Sequence, residues 1–184
     1  MPEQGQIKAS GLLLVSGTGR DSGKTNLVCK LIERHHSRYS ITAIKISPHI
    51  HHPNPSSEAI LFNDNYGIFR ETDPDTGKDS SAMLNAGAME VYYIQTDDQH
   101  LRNAYERLMD ISSPAALYIC ESGGLREHVV PDLFLIIHNR SNKTIKAKAR
   151  RLIPMADAFI NRSGNKLDFD TGRISVRDGR WIIT

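Results

Sequence analysis

Gly17-Thr18-Gly19-Arg20-Asp21-Ser22-Gly23-Lys24-Thr25 stands one serine beyond the apolar run Leu12-Leu13-Leu14-Val15. A buried strand therefore delivers the chain to a turn of small residues. Behind the turn, the spacing of Leu27, Val28, Leu31 and Ile32 predicts a helix from Lys24 to about Ser37. Backbone N–H groups in such a turn, with the positive end of a helix facing the same point, form an anion cradle. In a loop of this kind the backbone of Gly19, Arg20, Asp21, Ser22 and Gly23 holds phosphates. Lys24 reaches the β- and γ-phosphates, and the Thr25 hydroxyl binds the Mg²⁺ that bridges them. The glycine usual five places before Gly23 is here Thr18, so the turn is expected to draw its freedom at positive φ from Gly17 and Gly19. The plain alternative, a Gly-rich turn opening a helix, gives no reason for Lys24 and Thr25 to follow Gly23.

The chain has 184 residues, which suits one domain (1–184) with a single core. A formal net charge of +2, from 23 basic and 21 acidic side chains, is too near balance to suggest nucleic acid or a membrane surface as a partner. Any anion is then bound locally. Cys29 and Cys120 fall in the first helix and in a core strand, where small apolar thiols suit a reducing, cytoplasmic setting. No basic start leads into an apolar run, and no run reaches the about 18 apolar residues of a membrane span, so neither secretion nor membrane spanning is expected.

Taken in order, residues 1–10 read as polar and frayed, and residues 11–16 as a central strand. Ile41 to Ile46 is a second strand ending near Lys45, and 47–57 is a loop rich in Pro, Asn and His. Residues 61–71 suggest two short strands around a polar turn. Asp79 or Ser80 is expected to cap a short helix from Ser81 to Ala86 that Gly87 ends. Strands follow at 89–94, 117–120, 133–137 and 156–160, with helices after Asp98 and around Ala149. Within 172–184, Asp178-Gly179 between alternating runs predicts a C-terminal hairpin. Together these imply an α/β fold: a doubly wound, mostly parallel sheet with helices on both faces and the ligand at the carboxyl ends of the strands.

Polar residues just past each strand should converge at that edge. Glu121 closes the 117–120 strand, where an acid holds Mg²⁺ directly or through water; a merely solvated acid is the alternative. Lys45, with His49 and His51, faces a second ligand; Lys45 suits an anionic one, and His49, His51 and His52 also invite a metal reading. Asn161, at the end of the last strand, is placed to meet a nucleobase. Asn165-Lys166-Leu167-Asp168 matches the Asn-Lys-x-Asp pattern that reads guanine, with a turn as the alternative. Lys143, Lys146, Lys148, Arg150 and Arg151 read as a solvated helix face or as a dock for an anionic partner.

Three pieces together resemble the molybdopterin-guanine dinucleotide biosynthesis adaptors, small P-loop proteins that bind GTP. They are Ser22-Gly23-Lys24-Thr25, Ala43-Ile44-Lys45 with the histidines behind it, and Gly77-Lys78-Asp79-Ser80 leading to Ala86-Gly87-Ala88. In the second half, Glu121-Ser122-Gly123-Gly124 and Ala158-Phe159-Ile160-Asn161-Arg162 are closer to dethiobiotin synthetases, as is Gly17-Thr18. The resemblance implies a Mg²⁺-dependent nucleotide site with slow NTP hydrolysis, in a protein that hands a nucleotide or anionic cofactor to a partner protein. Two other readings stay open: an ATP-dependent small-molecule kinase or ligase, and a nucleotide-responsive interaction protein that forms a homodimer through its C-terminal hairpin. ATP and GTP are not distinguished at this level.

Overall fold

The computed structural model describes residues 5–48, 57–112, 114–115 and 117–184. Among them lies a nine-stranded sheet built from β1 (Ile7–Gly17), β2 (Ile41–Ser47), β3 (Ser57–Phe62), β4 (Tyr66–Glu71), β5 (Glu90–Thr96), β6 (Leu117–Glu121), β7 (Val129–Asn139), β8 (Ala158–Ser163) and β9 (Lys166–Leu167). Its order is β3-β4-β5-β2-β6-β1-β7-β8-β9. The six strands from β5 across to β8 run parallel, and β3, β4 and β9 add antiparallel edges. The fold is thus α/β with a large, mostly parallel sheet flanked by helices.

Because side chains alternate across a strand, β1 feeds both faces. Leu13 and Val15 enter one apolar cluster with α1 (Lys24–His35) and α2 (Asp79–Asn85). Leu12 and Leu14 enter the other, with α3 (Leu101–Ile111) and α4 (Ala147–Leu152). A strand buried on both faces has no polar phase, which is why Leu12 to Val15 reads as one apolar run. In α1, Leu27, Val28, Leu31, Ile32 and His35 form the buried stripe, and the helix closes two residues short of Ser37.

Several boundaries differ from the sequence-based expectation. β1 begins at Ile7, inside the stretch expected to fray, because Ile7, Lys8 and Ala9 pair with Val129, Val130 and Pro131 of β7. The register then shifts between Ala9 and Leu13, where Gly11 takes φ 76° and its N–H reaches Asp132 at 2.7 Å. Pro131, outside the strand expected at 133–137, lies inside β7 opposite this bulge, a place where a missing donor is tolerated. β3 starts at Ser57, at the edge of the expected loop. α2 starts at Asp79, and neither Asp79 nor Ser80 caps it; their side chains go to Lys45 and Glu71 instead.

β8 runs past Ile160, so Asn161 sits within the strand and not at its end. Residues Asn165 to Asp168 belong to a tight return in which Arg162 pairs with Leu167, and Gly164 takes φ 58° at the bend. The expected C-terminal hairpin is present as β10 (Ile174–Arg177) and β11 (Arg180–Ile183), a separate two-stranded sheet turning on Asp178 and Gly179, both at positive φ. No helix among the described residues is long and apolar enough to cross a membrane.

Candidate functional site

The loop after β1 emerges at the carboxyl edge of the sheet between β6 and β7, and its conformation departs from the expected glycine pattern. Positive φ falls on Asp21 (54°) and Gly23 (98°), not on Gly17 or Gly19. Gly17 is required for a different reason: a Cβ there would lie 2.1 Å from Ser22 Oγ and 2.9 Å from the Lys24 stem. Thr18 fits because its side chain turns inward. It is fully buried, and its hydroxyl bonds His138 Nδ1 at 2.8 Å.

What fixes the loop is the engagement of its carbonyls. Thr18 O accepts from Lys146 N (3.0 Å), Gly19 O from Lys24 Nζ (3.4 Å) and Arg20 O from Asn142 Nδ2 (3.1 Å). Asp21 O accepts from Asn139 Nδ2 (3.3 Å) and from the Arg162 guanidinium (2.9 Å), which also reaches Ser22 O (3.2 Å). Five successive carbonyls are thereby drawn to the protein. Among the described residues nothing accepts from the N–H groups of residues 19 to 25. That asymmetry is the arrangement an anion cradle needs, since donors fixed in advance cost little to reorganise.

Beside the loop, four charges interlock. The Thr25 hydroxyl donates to Glu121 Oε2 at 2.7 Å, and Lys45 Nζ donates to Glu121 Oε1 at 2.5 Å and to Asp79 Oδ2 at 2.6 Å. Lys24 Nζ lies 3.9 Å from Glu121. Glu121 is 1% exposed, and the two lysines and the Thr25 hydroxyl supply the partners that a buried carboxyl group needs. Burial, slightly offset by Glu121, holds the Lys24 ammonium below the usual lysine range. Burial acts the same way on Lys45, but Glu121 and Asp79 together outweigh it and raise that group. Burial would raise Asp79; its bonds from Lys45 and Thr25 outweigh that and lower it.

Lys45 is thus already satisfied by two carboxylates, and it acts first as the support of Glu121. Asp79, read from sequence only as a helix cap, joins the cluster from 34 residues away. Thr25, Glu121 and Asp79 offer only oxygen donors, the chemistry suited to Mg²⁺. Among the described residues no group of three His, Cys, Asp or Glu could hold a metal unaided. Mg²⁺ does not require one, since phosphates and waters commonly complete its shell.

These residues line a cleft of about 1200 Å³ that also takes in Arg20, Lys146, Lys148 and Arg162, and runs on to Tyr93, Gln95 and Thr96. A second cavity of about 300 Å³ lies on the α1 side of the loop, lined by Gly23, Asn26, Lys30, Arg162 and Asn165 among others. Gly23, Asn26 and Arg162 line both, and Arg162 packs against Gly23, where a Cβ would meet its Cδ at 2.7 Å. Strand alternation puts Asn161 on the opposite face of β8. Its amide donates to Asp168 at 2.7 Å, as does its backbone N–H, and Arg140 lies 3.5 Å from the same carboxylate. Bonds from Asn161 lower Asp168, which is held as an ionised acceptor within its own hairpin. His49, His51 and His52 lie outside the described residues.

The sequence reading missed Arg162 as a brace of the loop, although it stood next to Asn161. Replacing it with Ala should leave the core intact and loosen Asp21 and Ser22. The expected result is tryptic cleavage after Arg20, which is 92% exposed on its side chain, about tenfold faster than in the unsubstituted chain. An unchanged cleavage rate would show that the loop does not depend on the guanidinium.

Comparison of the chain with protein-family models, with curated proteins and with solved structures gives no match.

Proposed function

We propose that the chain is a P-loop protein that binds a Mg²⁺-nucleoside triphosphate and hydrolyses it slowly. The observation that carries this reading is the loop whose carbonyls, from Thr18 to Ser22, are all engaged while no described group accepts from the N–H groups of residues 19 to 25, and which lines the cleft beside Lys24. In that cradle the N–H groups of residues 19 to 25 bind phosphate oxygens, and Lys24 reaches the β- and γ-phosphates. Thr25 and Glu121 would hold Mg²⁺, which would supply positive charge to the phosphate oxygens. Lys45, bonded to Glu121 Oε1, holds that carboxylate aimed. The base is assigned to the 300 Å³ cavity, where Asn26 and Asn165 offer amide donors and acceptors beside the Arg162 guanidinium. Asp168, already bonded to Asn161 and near Arg140, is the weaker choice for reading guanine.

In biological role the proposal follows the resemblance to molybdopterin-guanine dinucleotide biosynthesis adaptors: the nucleotide is bound for delivery to a partner or a cofactor. A second reading, transfer of phosphoryl to a small acceptor, is favoured by one observation. The cleft, about 1200 Å³, exceeds the about 300–1,000 Å³ of ordinary small-molecule pockets and leaves room past Asp79 towards Tyr93 and Gln95.

Titration of ATP and GTP with Mg²⁺, on the unsubstituted chain and on Lys24→Ala, tests the site. Micromolar binding that falls at least about a hundredfold in Lys24→Ala is expected, an ion pair to phosphate being among the stronger polar contacts. Equal affinity in both would remove the proposal. Hydrolysis that rises sharply with an added acceptor would replace the adaptor role with the transferase one.

A further inference from the structure

We infer that Lys146 is a catalytic residue which the chain supplies to its own site: an ammonium that neutralises the charge developing on the phosphoryl group in transfer. This rests on the nucleotide reading above, and it gives a role in the chemistry to a lysine that the sequence placed on a solvated helix face or a dock for an anionic partner.

The cations lining the large cleft are nearly all engaged. Lys24 lies on Gly19 O and Ser22 Oγ, and Lys45 on Asp79 and Glu121. Lys148 is bonded to Asp98 and lies 3.5 Å from Glu127, latched over Gly124. Arg162 is spread over the loop carbonyls and Gly164 O, Arg20 lies 3.9 Å from Asp21, and Lys78 has a partner as well. Among the described cations of the cleft, Lys146 alone has an ammonium with no acceptor.

Its backbone is the reverse of free. Lys146 N donates to Thr18 O at 3.0 Å, inside the phosphate loop, and Lys146 O accepts from Arg150 N at 3.1 Å to open α4. The segment leading to it is pinned by Asn139 and Asn142, whose amides hold Asp21 O and Arg20 O. A fixed base and an exposed tip suit a group that engages charge as it develops. The ammonium is a compact charge on a four-carbon stem, and it adds to catalysis only by binding the transition state more tightly than the ground state. Lys146 and Lys24 line the same cleft.

The step balances without any further reactant. The oxygen of a water forms a bond to Pγ as the bond from Pγ to the β,γ-bridging oxygen breaks. The electron pair leaves on the nucleoside diphosphate, and the water's proton passes to the released phosphate. Charge spread over the γ-oxygens and the bridging oxygen rises in between, and Lys146 meets it there.

Hydrolysis by the unsubstituted chain, Lys146→Ala and Lys146→Arg is compared with their affinities for Mg²⁺-nucleoside diphosphate alone and with fluoroaluminate, which stands in for the phosphoryl group in transfer. Lys146→Ala should keep diphosphate affinity within about twofold. It should lower both the hydrolysis rate and the affinity for the fluoroaluminate complex by on the order of a hundredfold, with Lys146→Arg recovering part of each. An unchanged fluoroaluminate affinity, or an equal loss for the diphosphate alone, would overturn the assignment. If the unsubstituted chain binds no nucleotide, the phosphate-site reading itself falls and Lys146 with it, a failure recognisable without any variant.

Discussion

Glu121→Gln is expected to abolish the Mg²⁺ dependence of nucleotide binding while leaving the fold in place. The glutamine oxygen can still accept from Lys45, and its amide can donate to the Thr25 hydroxyl, so the hydrogen bonds now made at 2.5 and 2.7 Å have replacements. What is lost is the negative charge. Addition of EDTA should weaken triphosphate binding by the unsubstituted chain by at least the order of tenfold to a hundredfold that disturbing a metal's supporting groups costs. In Glu121→Gln it should change nothing further. Equal EDTA sensitivity in the two proteins would remove Glu121 from the metal site.

The same substitution carries a pH signature. Glu121 is the first of the charges that raise Lys24, whose ammonium burial already depresses. Affinity that needs protonated Lys24 is full below its pKa and is lost as pH rises through it. In Glu121→Gln that loss should begin at lower pH, measured by Mg²⁺-free triphosphate titration between pH 7 and 10. Lys45 runs the other way: its folded pKa is raised, so the pair with Glu121 and Asp79 is fully present below the ordinary lysine value and lost only above it. Asp79 is depressed, so its share is present above the ordinary aspartate value and fails only in acid. Near neutrality the cluster is therefore constant, and because Glu121 raises both lysines, the alkaline shift in Glu121→Gln reports Lys24 together with Lys45. Glu121→Ala is the harsher change, leaving half-buried Lys45 with Asp79 alone and Thr25 without its acceptor. About 3 kcal/mol of stability should go with it.

How far the sequence carried the fold can be read from particular residues. Leu12 to Val15, the helix stripe of Leu27, Val28, Leu31 and Ile32, and the Asp178-Gly179 turn are local patterns, and each element stands where its pattern put it. Ile7 to Ser10 were missed because Lys8 and Ser10 are exposed on a strand held by β7, a partner more than a hundred residues away. The loop, Lys45 and Glu121 were legible as strand-end residues, and the structure brings all three together. Asp79 was not legible in that role, because its link to Lys45 is made only once α2 packs beside β2. Asn161 and Arg162 exchanged places for a subtler reason: one residue of strand phase decides which of two neighbours faces the loop, and β8 ran further than its apolar residues indicated.

Trp181→Ala should produce the largest loss of stability of any single substitution considered. Trp181 heads the fully buried large side chains at 1% exposure, although it lies on a four-residue strand outside the main sheet. Its ring packs in the α1 cluster, edge-on to His35 with centroids 5.2 Å apart. Its indole N–H donates to Gly11 O at 3.0 Å and Tyr118 O at 3.2 Å, carbonyls of β1 and β6 away from the loop of residues 17–25. The hairpin therefore closes the base of the sheet where β1 bulges. Removal of the ring should cost about 4 kcal/mol, the range for a buried aromatic replaced by Ala. The orphaned carbonyls add about 1 kcal/mol. In a chain of this length the midpoint should fall by on the order of 10 °C or more. Trp181→Phe separates the terms, keeping most of the apolar burial and losing the donor, so about 1–2 kcal/mol is expected. Because the ring lies at the far end of the strands, affinity for nucleotide at 25 °C should be unchanged in Trp181→Phe. Calorimetric melting of both variants decides the matter. A midpoint within about 2 °C of the unsubstituted chain for Trp181→Ala would mean that the hairpin does not hold the base of the sheet.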